Sequence, residues 1–417
     1  MYWKRNLVVL CGAQLLTLVG FSLYTSFIPY YVQQMGTYSD EAALSWTAAI
    51  QTAGALAMMV AAPIWGSLAD RYGRKMMLLR ATGAATVVAF LMGQVQSPAQ
   101  LLALRAVQGI FCGTSAAAMT LVATSTPDAV LGRALGVMQM VNYVSQAVGP
   151  FIGGLAADAY GYRAVFPISS ALMLTSLVGI IFFVHEARER TGQPARRERV
   201  RLGRGMLRNL VGADALILIG ALAGTSLAAS TLSPVLSLYI KSLAPGSEHL
   251  ATLAGALTSV ASITASVAAF GIGYVGDRFG QKRALIVCTF GVAAVAIPQA
   301  FVSTATQLAI LRAVHGIFVG GIMPTANALL AQATSKERRG SVLGLASGAQ
   351  AGGRALGPTL GAGAAAAWGM GSTFLLNGAV FLVLSVLVGL FVRTAAKHAE
   401  PAPASVAGRA PAAVEER

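Results

Sequence analysis

Two charged stretches set 207 residues apart constrain this chain more than any other feature. Gly66-Ser67-Leu68-Ala69-Asp70-Arg71-Tyr72-Gly73-Arg74-Lys75 returns as Gly273-Tyr274-Val275-Gly276-Asp277-Arg278-Phe279-Gly280-Gln281-Lys282. Each is a short turn between two long apolar runs. The repeat extends beyond the turns. Leu104-Arg105-Ala106-Val107-Gln108-Gly109-Ile110-Phe111 returns, at the same offset, as Leu311-Arg312-Ala313-Val314-His315-Gly316-Ile317-Phe318. Gly149-Pro150 returns as Gly357-Pro358, and Phe166 as Phe374, both 208 residues on. A chain of 417 residues that repeats in register at half its length is two copies of one unit.

Run length decides what that unit is. Residues 7–29, 45–65 and 76–95 are long and almost uncharged. About 20 apolar residues in helix span a bilayer. A soluble domain carries about 25% charged residues, and this chain carries 11% against 56% hydrophobic. We therefore expect an all-α integral membrane protein. Twelve spans are predicted, at 7–29, 45–65, 76–95, 99–122, 135–157, 164–184, 210–232, 250–272, 284–302, 305–330, 341–365 and 372–392. Six fall in each half, so the expected organisation is two pseudo-symmetric six-helix bundles, 1–184 and 210–393. An Arg-rich linker, 185–209, joins them and is expected to lie on an anionic leaflet. A disordered Ala/Pro-rich tail, 394–417, follows. Parallel repeats of this kind normally enclose a site near the bilayer midplane.

The net charge of +15 raises the question of nucleic acid, and its distribution answers it. Lys and Arg crowd into the N-terminus, alternate loops and the tail. Arg163 and Lys241 fall on the opposite side, and Arg105, Arg312 and Arg354 lie inside spans. This is the positive-inside pattern, which puts both termini in the cytoplasm and excludes nucleic acid as the partner. Cys11, Cys112 and Cys288 sit inside apolar runs with no metal-ligand spacing, so no metal, cofactor or disulfide framework is expected.

With these residues in view, the chain resembles the major facilitator superfamily over nearly its whole length. The charged turn looks like that family's signature between helices 2 and 3, and the Arg105 run like its helix 4 signature. Helix 5 carries Gly136, Ser145, Gly149, Pro150, Gly153 and Gly154. This set is similar to the antiporter motif of drug/proton antiporters, with Ser145 where that motif has Gly. The segments Tyr2–Asn6 and Phe27–Val32 look like those of twelve-helix bacterial multidrug efflux proteins. The resemblance implies a monomeric exporter in the bacterial inner membrane. It would move small drug-like, amphipathic or anionic compounds in exchange for protons, without ATP and without enzymatic chemistry. A proton-linked sugar or metabolite importer, and a transport-dead receptor on the same fold, are the alternatives.

The resemblance also assigns roles. It implies that Asp70, with Gly66, Arg71, Gly73 and Arg74, latches the two halves at the cytoplasmic face by engaging the helix 11 N-terminus. Gly273, Asp277 and Arg278 form the weaker copy, with Gln281 in place of a base. Arg105 is implied in proton coupling. A charge inside a span is costly and usually faces a cavity or a partner, although a long Arg side chain also snorkels to the interface. Arg312 and His315 are its twins. Asp214 is either a first-turn helix charge or a coupling group. Arg354, alone in mid-span, is expected in the substrate cavity with Tyr24, Gln51, Gln108, Met138, Asn142, Gln146 and Gln350. The Gly-Pro sets, including Gly357 and Pro358, are expected to let helices 5 and 8, and 2 and 11, pack closely. No span has a carboxylate at its centre. That absence argues against a strong preference for cationic drugs.

Overall fold

The computed structural model describes residues 2–111, 113–184, 213–334 and 339–392. The linker and tail expectations lie outside these residues. All regular structure among the described residues is helical, in fourteen segments. In chain order these are α1 (Tyr2–Thr25), α2 (Ile28–Gln34), α3 (Asp40–Tyr72), α4 (Arg74–Met92), α5 (Pro98–Phe111), α6 (Thr114–Ser125) and α7 (Asp128–Tyr160). They continue as α8 (Tyr162–Phe183), α9 (Ala213–Leu243), α10 (Leu250–Phe279), α11 (Gln281–Gln299), α12 (Ala305–Gln332), α13 (Arg339–Trp368) and α14 (Ser372–Phe391). Among the described residues, nine helices are long and apolar enough to cross a membrane. In such surroundings helix is the conformation that satisfies every backbone N–H and C=O internally.

The fourteen segments map onto the twelve expected spans because two spans are each divided. A turn at Ser26–Phe27 separates α1 from α2. The run 99–122 is broken between α5 and α6, where Gly113 has φ +122°. That backbone region is open to glycine and ends a right-handed helix. The continuous span expected there is corrected to two helices. The charged turns are set by the same freedom: Gly73 (φ +91°) and Gly280 (φ +100°) close α3 and α10 and let α4 and α11 start at the next residue.

The repeat is visible as contacts made twice. Tyr31 Oη donates to Met92 O at 2.9 Å, and Tyr239 Oη to Gln299 O at 3.0 Å. Each ring packs on a phenylalanine, Tyr31 on Phe166 and Tyr239 on Phe374. Ser22 Oγ donates to Ser145 O, and Ser230 Oγ to Gly353 O. Ser169 donates to Gly20 O, and Asn377 to Ala228 O. Lys75 Nζ donates to Ile181 O (3.0 Å) and Val184 O (2.6 Å) at the end of α8, while Lys282 Nζ donates to Gly389 O (2.9 Å) in α14. A cation suits the unsatisfied carbonyls at a helix C-terminus.

The apolar core is thickest at the end away from the charged turns. There Tyr24, Phe27, Ile28, Tyr31, Phe166, Tyr239 and Phe374 join one buried cluster. Large apolar side chains such as Val60, Phe182, Phe290 and Leu390 are exposed on the outside. That is the surface a bilayer covers.

Candidate functional site: the interface between halves and the buried arginines

Among the described residues, the polar contacts between the halves concentrate at the end away from the charged turns. Lys241, near the end of α9, lies 2.8 Å from Asp40 Oδ1 at the start of α3. Gln33 joins the pair, donating to Asp40 Oδ1 (2.5 Å) and accepting from Lys241 (3.2 Å). Tyr30 Oη donates to Ser237 O, and Ser237 Oγ to Ser26 O. Asp158, near the end of α7, accepts from the backbone N–H groups of Ala251 (3.2 Å) and Thr252 (2.8 Å). These are among the first N–H groups of α10, which lack intrahelical partners. Midway along, Thr52 and Thr359 share a hydrogen bond of 2.9 Å between α3 and α13. Sequence reasoning singled out neither Asp40 nor Asp158. Lys241 was the available signal, as one of the few bases on the side opposite the charge excess.

The charged turn itself is partly described. Gly73 donates its N–H to Ala69 O at 3.1 Å. Arg278 is exposed beside the Phe279 ring. The side chains of Asp70, Arg71 and Asp277, with Gly66 and Gly273, lie outside the described residues. Arg74 opens α4 and Asp214 sits in the first turn of α9.

The glycines of α7 divide their work between two helices. A Cβ at Gly149 would meet Ser22 Oγ at 1.7 Å, and one at Gly153 would meet Leu23 O at 1.9 Å, both in α1. Gly154 is the one that faces α10, with Ala251 O at 2.4 Å, and Gly255 returns the contact against Pro150 O at 2.1 Å. In the second half, Gly353, Gly357 and Gly361 press on Ala223, Ser230 and Thr231 of α9. The close approach expected of helices 5 and 8, and of 2 and 11, is present in α7 with α10 and α3 with α13, and the motifs do a second job as well. Most of them close helices within one half, at sites where only a hydrogen fits. Gly136 meets nothing within 4 Å. Ser145, in the place of a motif glycine, is buried and turns its hydroxyl back to Val141 O at 2.8 Å. Pro358 lies inside α13, as Pro150 lies inside α7.

Arg105 heads a cluster near the middle of the first half. Its Nη1 donates to Gln108 Oε1 (2.5 Å) and Tyr24 Oη (3.3 Å), and Gln108 Nε2 donates to Tyr24 Oη (3.0 Å). The Tyr24 ring stacks on Phe166 at 5.1 Å. Arg105 therefore faces partners and does not snorkel. On α12, Arg312 and His315 are both buried. The other cavity candidates differ in burial. Met138 is fully buried in the core of α1, α6 and α7, where Cys11 Sγ contacts its sulfur at 3.6 Å, so it faces no open space. Asn142 bonds back to Met138 O, Gln146 and Arg354 are exposed, Gln350 is buried, and Gln51 has its Nε2 buried without a partner.

Against this geometry, the chain has clear relatives. The Multidrug resistance protein MdtG of Yersinia enterocolitica is 34% identical over 381 residues, covering 91% of each chain. The protein of the same name from Serratia proteamaculans is 33% identical over 92% of this chain and 93% of its own. Among solved structures, a D-xylose-proton symporter superposes with a TM-score of 0.76 at 16% identity, over 94% of this chain and 98% of that one. The nucleoside transporter NupG gives 0.71 at 13% identity, over 91% and 99%. These two likenesses speak to the fold alone. The profile of the Major Facilitator Superfamily matches residues 10–246 and 218–414. With a helical repeat that makes its contacts twice, and relatives aligned end to end, the chain belongs to the major facilitator superfamily.

Proposed function

We propose that this multi-pass membrane protein is a drug exporter. It moves small amphipathic or anionic compounds out of a bacterial cell across the inner membrane, in exchange for protons. The observation that carries this reading is end-to-end similarity to proteins named for multidrug resistance, at 34% identity over 91% of the chain. The family is one of transporters, so the chemistry sought is binding and movement, not bond making.

The geometry supports an alternating-access cycle. The positive-inside pattern puts the charged turns at the cytoplasmic face. The contacts at Asp40–Lys241, Tyr30–Ser237 and Asp158–Thr252 then form an outer gate, closed in this conformer. In the other conformer the Asp70 turn would take over as the inner latch, with the Asp277 copy. The two bundles, 1–184 and 210–393, would rock as units joined by the 185–209 linker. Arg105, with Tyr24 and Gln108, is the proposed coupling group of the first half. A guanidinium held by a hydroxyl and an amide can change partner when a proton or substrate arrives.

Inverted membrane vesicles with an imposed pH gradient test the proposal. Uptake of drug-like compounds that follows the gradient supports antiport. Flux indifferent to the gradient overturns it. Inward accumulation of a sugar or metabolite by whole cells, with no change in drug tolerance, would point to the importer instead.

A further inference from the structure

One face of α7 and its counterpart on α13 change character at the same height in the two halves. On α7, Gln139, Gln146 and Gly153 follow one another at intervals of seven, and Ser347, Arg354 and Gly361 are their counterparts 208 positions on. Residues so spaced share a helix face. Gln146 and Arg354 stand roughly 120–180° around their helices from exposed apolar side chains, Val148, Ile152 and Leu155 on α7 and Leu356 and Leu360 on α13. Those apolar stripes meet the bilayer, so the polar face looks inward. The first two residues of each trio are exposed and the third is buried. Leu23 closes over Gly153, and Thr231 over Gly361. About a turn beyond Gln146 and Arg354 the halves also meet, Pro150 against Gly255 and Thr359 against Thr52. The space between the halves is therefore open toward the charged turns and ends at Gln146 and Arg354.

The two residues at that closed end differ in charge. Arg354 lies midway along α13 (Arg339–Trp368), and no described residue bonds to its guanidinium. Arg105 is bonded to Tyr24 and Gln108, and Arg312 is buried. Of the three arginines inside spans, Arg354 is thus the one exposed to the space between the halves. No span offers a carboxylate at its centre to neutralise it. A charge at that depth marks a substrate path. The backbone beneath it is fixed, because Gly353 and Gly357 press on Ala223 and Leu227 of α9. A guanidinium presents a rigid fork that matches a carboxylate, while Gln146 on the other wall is neutral. We propose that Arg354 selects the charge of the transported compound. Its carboxylate sits on the guanidinium, and Gln146 bonds a neutral polar atom across the cavity. The substrate class is then singly charged organic acids with an apolar body. This rests on the exporter reading for the direction of movement, but the site is read by binding, without flux. Absent proton-driven transport with the charge preference intact would refute that reading and leave this one standing.

The test is calorimetric titration of the purified full-length protein in a neutral detergent. Three probes share one apolar body: 1-naphthylacetate is an anion, 1-naphthylacetamide is neutral and 1-naphthylmethylammonium is a cation. The anion is expected to bind about tenfold or more tighter than the amide, and the cation more weakly than either. Arg354→Gln should bring anion and amide to equal affinity while leaving the amide's own affinity within about twofold. Arg354→Lys, which keeps the charge but not the fork, should retain part of the preference, and it carries the test should the glutamine variant fail to fold. Arg163→Gln, whose site is at the outer end beside Val95 O, should change nothing. Failure of the anion to bind tighter than the amide, a preference that survives Arg354→Gln undiminished, or an equal loss of all three probes in the Arg354 variants would each overturn the proposal.

Discussion

Lys241 and Asp40 come from opposite halves of the repeat, yet their charged atoms lie 2.8 Å apart. Both side chains remain partly exposed, at 38% and 44%. A pair in that setting contributes about 0–1 kcal/mol. It therefore biases the conformational equilibrium without fixing it. Asp40→Asn or Lys241→Gln should raise the outward-open population by up to about fivefold, as 1 kcal/mol implies. Spin labels on the outer ends of α3 and α9 would report the change as a longer distance. The two variants combined should do little more than either alone, and an additive effect would show that the residues act separately.

Asp158 holds the α10 N-terminus by two hydrogen bonds. Removing a carboxylate cap costs about 1 kcal/mol. Asp158→Ala should therefore open the outer gate about as much as loss of the Lys241 pair. Asp158→Asn, which keeps an acceptor, should open it less. Labelling of a cysteine placed on the outer stretch of α10 measures this, and equal labelling of all three proteins would refute the role.

At Gly154 and Gly255 the added Cβ of alanine would sit 2.4 Å and 2.1 Å from backbone oxygens of the facing half. Gly154→Ala and Gly255→Ala should each force the halves apart and cut transport by an order of magnitude or more. Gly136→Ala meets open space and should be neutral or slightly stabilising, because alanine favours helix over glycine by about 1 kcal/mol. Fluorescence-detected elution profiles of the three variants separate misfolding from loss of transport.

Tyr24→Phe removes the hydroxyl that both Arg105 and Gln108 use. The ring and its stacking on Phe166 stay. A net loss of about 1 kcal/mol in stability is expected, within reach of a thermal melt. The sharper expectation concerns coupling: proton-driven flux should fall more than substrate-driven counterflow. Equal losses in the two assays would reduce Tyr24 to packing.

The helices and the repeat were legible because both are written as periodicity. Runs of about 20 apolar residues have one outcome in lipid, and an offset of 207 residues needs only counting. Even twin lysines, Lys75 and Lys282, could be located, although not their work at the ends of α8 and α14. The break at Gly113 was hidden because a glycine inside an apolar run looks the same whether it is helical or left-handed. The direction of the α7 glycines was hidden for a related reason. Small residues announce close approach but not to what, and Gly149, Gly153 and Gly154 lie within two turns yet face two different helices. Met138 shows the limit on side chains. A soft residue suits a binding cavity or a core equally, and packing put it in the core. The partners in the outer contacts were unreadable because each contact joins residues from different halves, such as Tyr30 and Ser237, and Lys241 alone stood out by its charge.

The meeting of α7 and α10 carries one more consequence. At Gly154 and Gly255 the nearest atoms of the facing half are main-chain atoms. At those two points there is no side chain to change rotamer. A joint of that kind resists separation but offers little resistance to tilting, much as a knife-edge bears a balance beam. Its bare backbone sets the axis of the see-saw, while the side-chain contacts on either side of it decide which way the beam rests.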